Sequence, residues 1–123
     1  MLGCSAAAVQ ANRLAAAQQL AEQCACIVVL KGSGSIIAAP GHTPFINPTG
    51  NARLATGGTG DVLAGLLGAR LAALPGGDDD DLSASAVDAT RRACWQHGQV
   101  ADQWSPADGQ LTASGLARAL TSR

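Results

Sequence analysis

Two glycine-rich blocks hold the residues of this chain best suited to chemistry. The longer one reads Asn47-Pro48-Thr49-Gly50-Asn51-Ala52-Arg53-Leu54-Ala55-Thr56-Gly57-Gly58-Thr59-Gly60-Asp61. Glycines at 57, 58 and 60 permit sharp turns and let a ligand approach the peptide N–H groups closely. A helix is expected from Asp61 to Leu74, and its N-terminus brings unpaired N–H donors and a positive dipole end to the same spot. Gly57, Gly58, Thr59 and Gly60 would then form an anion hole for a phosphoryl group. Asp61, beside that hole at the first helical position, is placed to accept a proton from a hydroxyl attacking phosphorus. An acid at a helix start also serves as a plain cap or dipole partner. The combination of glycine loop, acid and apolar helix is what points to phosphoryl chemistry. The block is neither a dinucleotide fingerprint nor a Walker A loop, since the later glycine of the first and the Gly-Lys-Ser/Thr of the second are missing.

The second block is Lys31-Gly32-Ser33-Gly34-Ser35, which follows an apolar run and contains the only lysine in the chain. Ligands of open α/β sheets gather at the carboxyl ends of strands, and a Gly-Ser turn offers amide and hydroxyl donors to a nucleotide. The same residues also fit an ordinary hairpin turn. Other residues rank lower. The Asp78–Asp81 run reads as a solvated loop and not as a metal site, and no metal ligands are assigned. His97 falls on an apolar helical face and reads as a satisfied core histidine, His42 after a Pro-Gly turn as solvent-facing, and Cys94 and Trp104 as packing residues.

The elements that must position these blocks follow from hydrophobic spacing. Ser5 caps a helix running to about Gln23, with Val9, Leu14, Ala17, Leu20/Ala21 and Cys24 on its apolar face. Cys26 to Leu30 is a continuous apolar run that suits a strand buried on both sides, as in a parallel sheet. Ile36 to Ala39 and Phe45 to Asn47 are further short strands, with a turn at Pro40-Gly41 and a stop at Pro48. The Asp61–Leu74 helix is apolar almost all round, which implies burial between layers. After Pro75-Gly76-Gly77, a helix capped by Asp81 or Ser83 runs to about Trp104 with Val87, Thr90, Cys94, His97, Ala101 and Trp104 on one face. Thr112 caps a last helix containing Leu116 and Leu120.

Composition sets the limits. The chain has 123 residues, 47% of them apolar, with one Phe, two Trp and no Tyr, so its core must be aliphatic. A single domain without an internal boundary is expected from this length. Eight basic residues against nine acidic ones leave no broad field to attract nucleic acid or anionic lipid. The four cysteines have no zinc-like spacing, and Cys24 and Cys26 read as small buried apolar residues. No signal peptide and no membrane span are apparent, which favours a cytoplasmic protein.

Three segments carry a family resemblance: Val28-Val29-Leu30-Lys31-Gly32-Ser33-Gly34-Ser35, Asn47-Pro48-Thr49-Gly50-Asn51, and Ala55-Thr56-Gly57-Gly58-Thr59-Gly60-Asp61-Val62-Leu63-Ala64-Gly65. In identity and spacing they resemble the C-terminal half of the ADP/ATP-dependent NAD(P)H-hydrate dehydratases, members of the ribokinase-like superfamily. The likeness runs from about Leu2 to Leu120. The Gly-Asp element is shared with ribokinase-like kinases, whereas the Val-Val-Leu-Lys-Gly and Asn-Pro-Thr-Gly-Asn segments favour the dehydratase. The resemblance implies a ribokinase-like three-layer α/β/α fold, represented by its C-terminal half with short, mostly parallel strands, so that residues 1–123 form one partial domain. It implies a lyase that repairs hydrated NADH or NADPH: ADP or ATP, with Mg²⁺, phosphorylates the ring hydroxyl and phosphate then leaves. By motif, Lys31, Gly32, Ser33, Gly34, Ser35 and Gly60 would bind the adenine nucleotide. Asp61 would be the base and would contact the hydrated cofactor with Asn47, Gly50 and Asn51.

The acid- and histidine-containing segment that precedes the Leu2-Gly3 equivalent in the family has no counterpart here. That implies a truncated form with weak activity alone, and an uncovered sheet edge and helix face that favour a homo-oligomer. Two other readings of the residues stand beside this one: a ribokinase-like kinase acting on a vitamin precursor or sugar, and a non-catalytic nucleotide-binding remnant.

Overall fold

The computed structural model describes Gly3 and residues 5–121, with the backbone alone at Asp79 and Asp80. It divides into two compact units, Met1–Asn47 and Pro48–Arg123.

The first unit contains α1 (Ala6–Ala11), α2 (Arg13–Cys24), β1 (Val28–Leu30), β2 (Ile36–Ala38) and β3 (Phe45–Ile46). The single helix expected over Ser5–Gln23 is broken at Asn12, whose backbone leaves the helical region at φ −145° and ψ 69°. Its side-chain oxygen accepts from the Ala15 N–H at 3.2 Å and so starts a second helix, a role Asn prefers to a helix interior. Ser5 does cap the first helix, accepting from the Ala8 N–H at 3.2 Å. The buried stripe of α2 is narrower than the spacing suggests. Ala17 and Ala21 are buried, whereas Leu14 is 44% exposed and Cys24 is fully on the surface.

The sheet differs from expectation. β1, β2 and β3 form a meander in that order, antiparallel throughout, with Val29 opposite Ile37 and Ile36 opposite Ile46. The mostly parallel pairing is therefore corrected, and the reason is chain length: Lys31 to Ser35 are too few for the crossover of about a dozen residues that parallel neighbours need. β1 is half-buried, not covered on both sides, and β2 is the buried strand. Ile36 and Ala38, with Val28 and Leu30 against them, pack on Ala17 and Ala21. Cys26 lies ahead of β1 and is exposed, so neither Cys24 nor Cys26 is the buried residue its neighbours suggested. His42, expected to face solvent, is half-buried.

The second unit contains a 3₁₀ turn (Ala52–Leu54), α3 (Thr59–Ala72), α4 (Asp79–Asp102), another 3₁₀ turn (Pro106–Asp108) and α5 (Ala113–Thr121). Val100, Ala101, Leu111, Leu116 and Leu120 form its core, with Leu54, Val62, Leu66 and Trp104 packed against them. α3 is not sandwiched between layers as its composition implies. Only Thr59 and Leu63 are buried, Val62, Leu66 and Leu67 are half-buried, and Ala64, Ala69 and Leu71 are exposed. It packs on α4 and α5 by one face, and its remaining faces are mostly Ala and Gly, which lose little by exposure.

α4 starts at Asp79, earlier than Ser83, with Asp78 at its N-cap, a position that favours Asp. The acidic run is thus partly helix, and Asp78 and Asp81 are exposed. The face of α4 is the one the spacing indicates, with Val87, Thr90, Cys94, His97 and Ala101 all buried. Trp104 lies just past the helix and donates its indole N–H to the Gly109 carbonyl at 3.0 Å. Thr112 caps α5 by accepting from the Gly115 N–H at 3.1 Å. Among the described residues no helix is long and apolar enough to cross a membrane.

One glycine decides how closely the Pro48–Asn51 segment crosses α4. A Cβ on Gly98 would come within 2.6 Å of the Thr49 carbonyl carbon, and Thr49 is itself tied by its hydroxyl to the Trp95 carbonyl at 2.8 Å. Helix propensity alone would favour Gly98→Ala by about 1 kcal/mol. The clash is with backbone that cannot swing away, and overpacking costs about 1–3 kcal/mol. Gly98→Ala is therefore expected to lower the melting temperature, and a rise would show that the crossing is loose.

Burial pushes the Cys94 thiol up from 9.0 to about 11. The folded thiol stays neutral while an unfolded one ionises, so Cys94 contributes stability that is present below pH 9.0 and lost as pH rises towards about 11. With iodoacetamide at pH 8, peptide mapping should find Cys24 and Cys26 alkylated and Cys94 untouched until denaturant is added.

Candidate functional site

The glycine loop of the second unit ends in a left-handed residue, Gly58 at φ 85°, which is the N-cap of α3. A side chain there would be strained by that φ and would also meet the Ala113 Cβ at 3.0 Å. The helix therefore starts at Thr59, two residues before the expected start, and Asp61 occupies its first turn as the third residue. The Thr59 N–H donates to Thr56 O at 3.3 Å, and the N–H groups of Asp61 and Val62 both donate to Gly58 O at 3.1 Å. Among the described residues, no backbone carbonyl engages the N–H of Gly57, Gly58 or Gly60. Gly57 and Gly58 are exposed and Gly60 is half-buried, next to the exposed Asp61. Open amides at a helix mouth next to a carboxylate can hold a phosphoryl group and move a proton beside it.

Thr59 has a different place from its neighbours. It is 5% exposed, and its hydroxyl is shared between Leu54 O at 2.6 Å and Thr56 O at 2.9 Å. Its carbonyl lies 2.9 Å from Nε2 of buried His97, so that nitrogen carries the proton it donates. Thr59 and His97 brace the loop from inside, and His97 is the satisfied core histidine its position indicates.

Asn47, Gly50 and Asn51 are anchored individually. Asn47 is 5% exposed, and its N–H donates to Ser35 O at 2.8 Å within the first unit. In the second unit, Asp102 at the end of α4 accepts from the Gly50 N–H at 2.8 Å and from Asn51 Nδ2 at 2.9 Å. Asn51 Nδ2 also donates to Ala101 O at 2.9 Å, while its Oδ1 accepts from the Arg53 N–H at 3.0 Å. Asp102 had no signal in the sequence, where it is one acid among several on a long helix.

Lys31 to Ser35 is the β1–β2 hairpin connection, with Lys31, Gly32 and Ser33 exposed. The Ser35 hydroxyl closes it, accepting from the Gly32 N–H at 3.3 Å and donating to the Gly32 carbonyl at 3.2 Å. Arg13 of α2 lies behind it. Nη1 donates to Ser33 O at 2.6 Å, and Nη2 to Leu30 O at 3.2 Å and Lys31 O at 3.4 Å. Arg13 was not singled out from the sequence, where a single helix puts it in mid-helix; the break at Asn12 makes it the first residue of α2, a cation against the helix dipole. Glu22 likewise serves a turn, accepting from the Gly41 N–H at 3.2 Å.

Among the described residues no three His, Cys, Asp or Glu side chains gather into a metal cluster. Mg²⁺ needs only one or two protein carboxylates when phosphate oxygens and water complete its shell.

The brace under the glycine loop is testable. Thr59→Val keeps the shape but takes the hydroxyl donor from the Leu54 carbonyl and leaves Thr56 O only its backbone donor, at about 1–3 kcal/mol. Denaturant unfolding should show that loss, and Thr59→Ser should recover most of it.

The chain is similar to known proteins of one family. The family model described as NAD(P)H-hydrate dehydratase matches residues 1–122. The bifunctional NAD(P)H-hydrate repair enzyme of Escherichia coli is 38% identical over 102 residues, covering 83% of this chain and 18% of that protein. The ADP-dependent (S)-NAD(P)H-hydrate dehydratase of Neisseria meningitidis is 37% identical over 102 residues, covering 83% of this chain and 31% of its own length. Among solved structures, a Bacillus subtilis member of the UPF0031 family superposes with a TM-score of 0.73 at 30% identity, over 99% of this chain and 43% of that one. The Bacillus subtilis ADP/ATP-dependent NAD(P)H-hydrate dehydratase co-crystallised with ATP and Mg²⁺ gives 0.68 at 31% identity, over 93% of this chain and 39% of its own. The chain thus spans less than half the length of these relatives, and its mixed α/β structure is part of their fold. With a family model matched over almost every residue, the chain belongs to the NAD(P)H-hydrate dehydratase family.

Proposed function

We propose that this chain takes part in the ADP- or ATP-dependent dehydration of hydrated NADH and NADPH, a carbon–oxygen lyase reaction that restores the reduced cofactor. The observation that carries the reading is the row of open amides at Gly57, Gly58 and Gly60 beside the exposed Asp61 carboxylate. The names of the relatives support the substrate: one is an ADP-dependent dehydratase, and another was crystallised with ATP and Mg²⁺. A family match that runs across both compact units supports treating residues 1–123 as one partial domain.

In this reading the ring hydroxyl of the hydrated cofactor attacks the terminal phosphorus of the nucleotide. Asp61 accepts the hydroxyl proton as the new O–P bond forms and the bond to the departing AMP or ADP breaks. The amides of Gly57, Gly58 and Gly60 hold the equatorial oxygens, where charge is spread in the transition state. The ring C–O bond then breaks, phosphate leaves with the electron pair, and loss of a ring proton restores the double bond. Mg²⁺, when bound, screens the charge of the phosphates. Lys31 to Ser35 contact the adenine nucleotide together with Gly60, while Asn47, Gly50 and Asn51 support the hydrated cofactor. The enzyme works in the cytoplasm, and large apolar side chains left exposed, such as Ile46, Leu71 and Trp95, favour self-association.

Hydrated NADH, ADP or ATP and Mg²⁺ added to the chain should restore absorbance at the reduced-nicotinamide band and release phosphate. Asp61→Asn should lower turnover by on the order of 10²- to 10⁴-fold, the usual share of a general base. Unchanged turnover in that variant would remove Asp61 from the mechanism. A stable phosphorylated product without phosphate release would make the chain a small-molecule kinase instead, and ADP binding without turnover would make it a non-catalytic binding module.

A further inference from the structure

Arg13 is far from Asp61 in sequence and has no place in the mechanism above, yet its two terminal nitrogens bond the carbonyls of Leu30, Lys31 and Ser33 at one hairpin end. We propose that Arg13 is a positioning residue for the adenine nucleotide: it holds the Lys31–Ser35 turn with its carbonyls inward, so that the turn presents amides and positive potential to the ligand. This rests on the reading of Lys31–Ser35 as the nucleotide loop.

Peptide geometry carries the first step. In a trans peptide the carbonyl of one residue and the N–H of the next point in opposite directions. With the Leu30, Lys31 and Ser33 carbonyls drawn to Arg13, the following N–H groups, those of Lys31, Gly32 and Gly34, face away from the guanidinium. The Gly32 N–H is taken by the Ser35 hydroxyl, whereas the Gly34 N–H donates to no backbone carbonyl among the described residues. Gly34 sits at φ 62° with the Ile46 Cγ2 atom 3.3 Å from where a Cβ would be, so the turn needs glycine at this position.

The second step is electrostatic. A guanidinium behind the turn and the exposed Lys31 ammonium on it put two cations at one hairpin end, in a chain whose net charge is −1. Such a pairing of a cation with outward amides favours the anionic part of a nucleotide.

The third step is what the arrangement costs. Arg13 opposes the dipole of its own helix, and its Nε–H is buried without an acceptor among the described residues. Gly32 is shaped to the guanidinium as well, since a Cβ there would lie 2.9 Å from Nη2. A residue that only anchored α2 to the sheet would need neither penalty, because Ala17 and Ala21 already pack on Ile36 and Ala38.

Calorimetric titration of ADP into the wild-type chain, Arg13→Met, Arg13→Lys and Lys31→Ala tests this, with thermal melts alongside. Arg13→Met keeps the apolar stem and should weaken ADP binding by on the order of tenfold, the worth of one charged hydrogen bond. Arg13→Lys should fall between, since one ammonium cannot reproduce the planar fork. In turnover assays the loss should appear in the KM for ADP and not in that for the hydrated cofactor. If Lys31→Ala weakens ADP binding and folded Arg13→Met does not, the inference is overturned while the loop reading survives. ADP affinity untouched in all variants would end both. Equal losses for nucleotide and hydrated cofactor, tracking a lower melting temperature, would reduce Arg13 to a structural anchor and also overturn it. If Arg13→Met does not fold, Arg13→Lys decides by the same KM comparison.

Discussion

The first amides of an α-helix have no partner within the helix, and a protein must either cap them or leave them for a ligand. At α3, among the described residues, no backbone carbonyl takes the Gly60 N–H or those of Gly57 and Gly58 just ahead of the helix. The N-cap is Gly58, which has no side chain to satisfy them, and the one hydroxyl nearby, on Thr59, points inward to Leu54 and Thr56. Asp61, which a helix start could also use as a plain cap, stands exposed in the first turn. Everything proposed for the chemistry depends on those donors staying unfilled, and the surrounding contacts keep the backbone in the conformation that leaves them so.

Those contacts follow one pattern. The chain has only three aromatic residues to wedge loops in place, and it uses polar side chains bound to backbone groups. Asp102 and Asn51 fasten the Thr49–Asn51 segment to the end of α4, His97 holds the Thr59 carbonyl, Arg13 holds the β1–β2 turn, and Glu22 holds Gly41. A hydrogen bond to a charged group is worth more than a neutral one and demands a defined geometry. Side chains of this kind give loops a fixed shape without a large core beneath them.

Close approach is the other device. Gly98 lets Thr49 rest on the α4 backbone, and Gly115 lets α5 lie against the Trp104 ring, where a Cβ would stand 3.0 Å from the ring edge. Small residues thus bring elements together in one place and, along α3, leave surface with little to bury in another. The same composition has opposite meanings in the two settings, and only neighbours tell them apart.

The sequence by itself determined the local features. Hydrophobic spacing located the helices and the β2 strand, the hydroxyls of Ser5 and Thr112 marked helix starts, and the two glycine-rich blocks stood out by composition. Each of these depends on residues a few positions apart, where propensity and capping act. The family resemblance was equally legible, because it rests on motifs whose residues are contiguous. The tertiary structure decided what depends on distant partners. It decided the antiparallel pairing of β1 and β2, the exposure of Cys24, Cys26 and most of α3, and the inward turn of Thr59 away from its glycine neighbours. It alone showed Arg13 behind a turn many residues away and Asp102 under Gly50 and Asn51, because a side chain's partner across such a span is set by how the chain folds back, which no local pattern encodes.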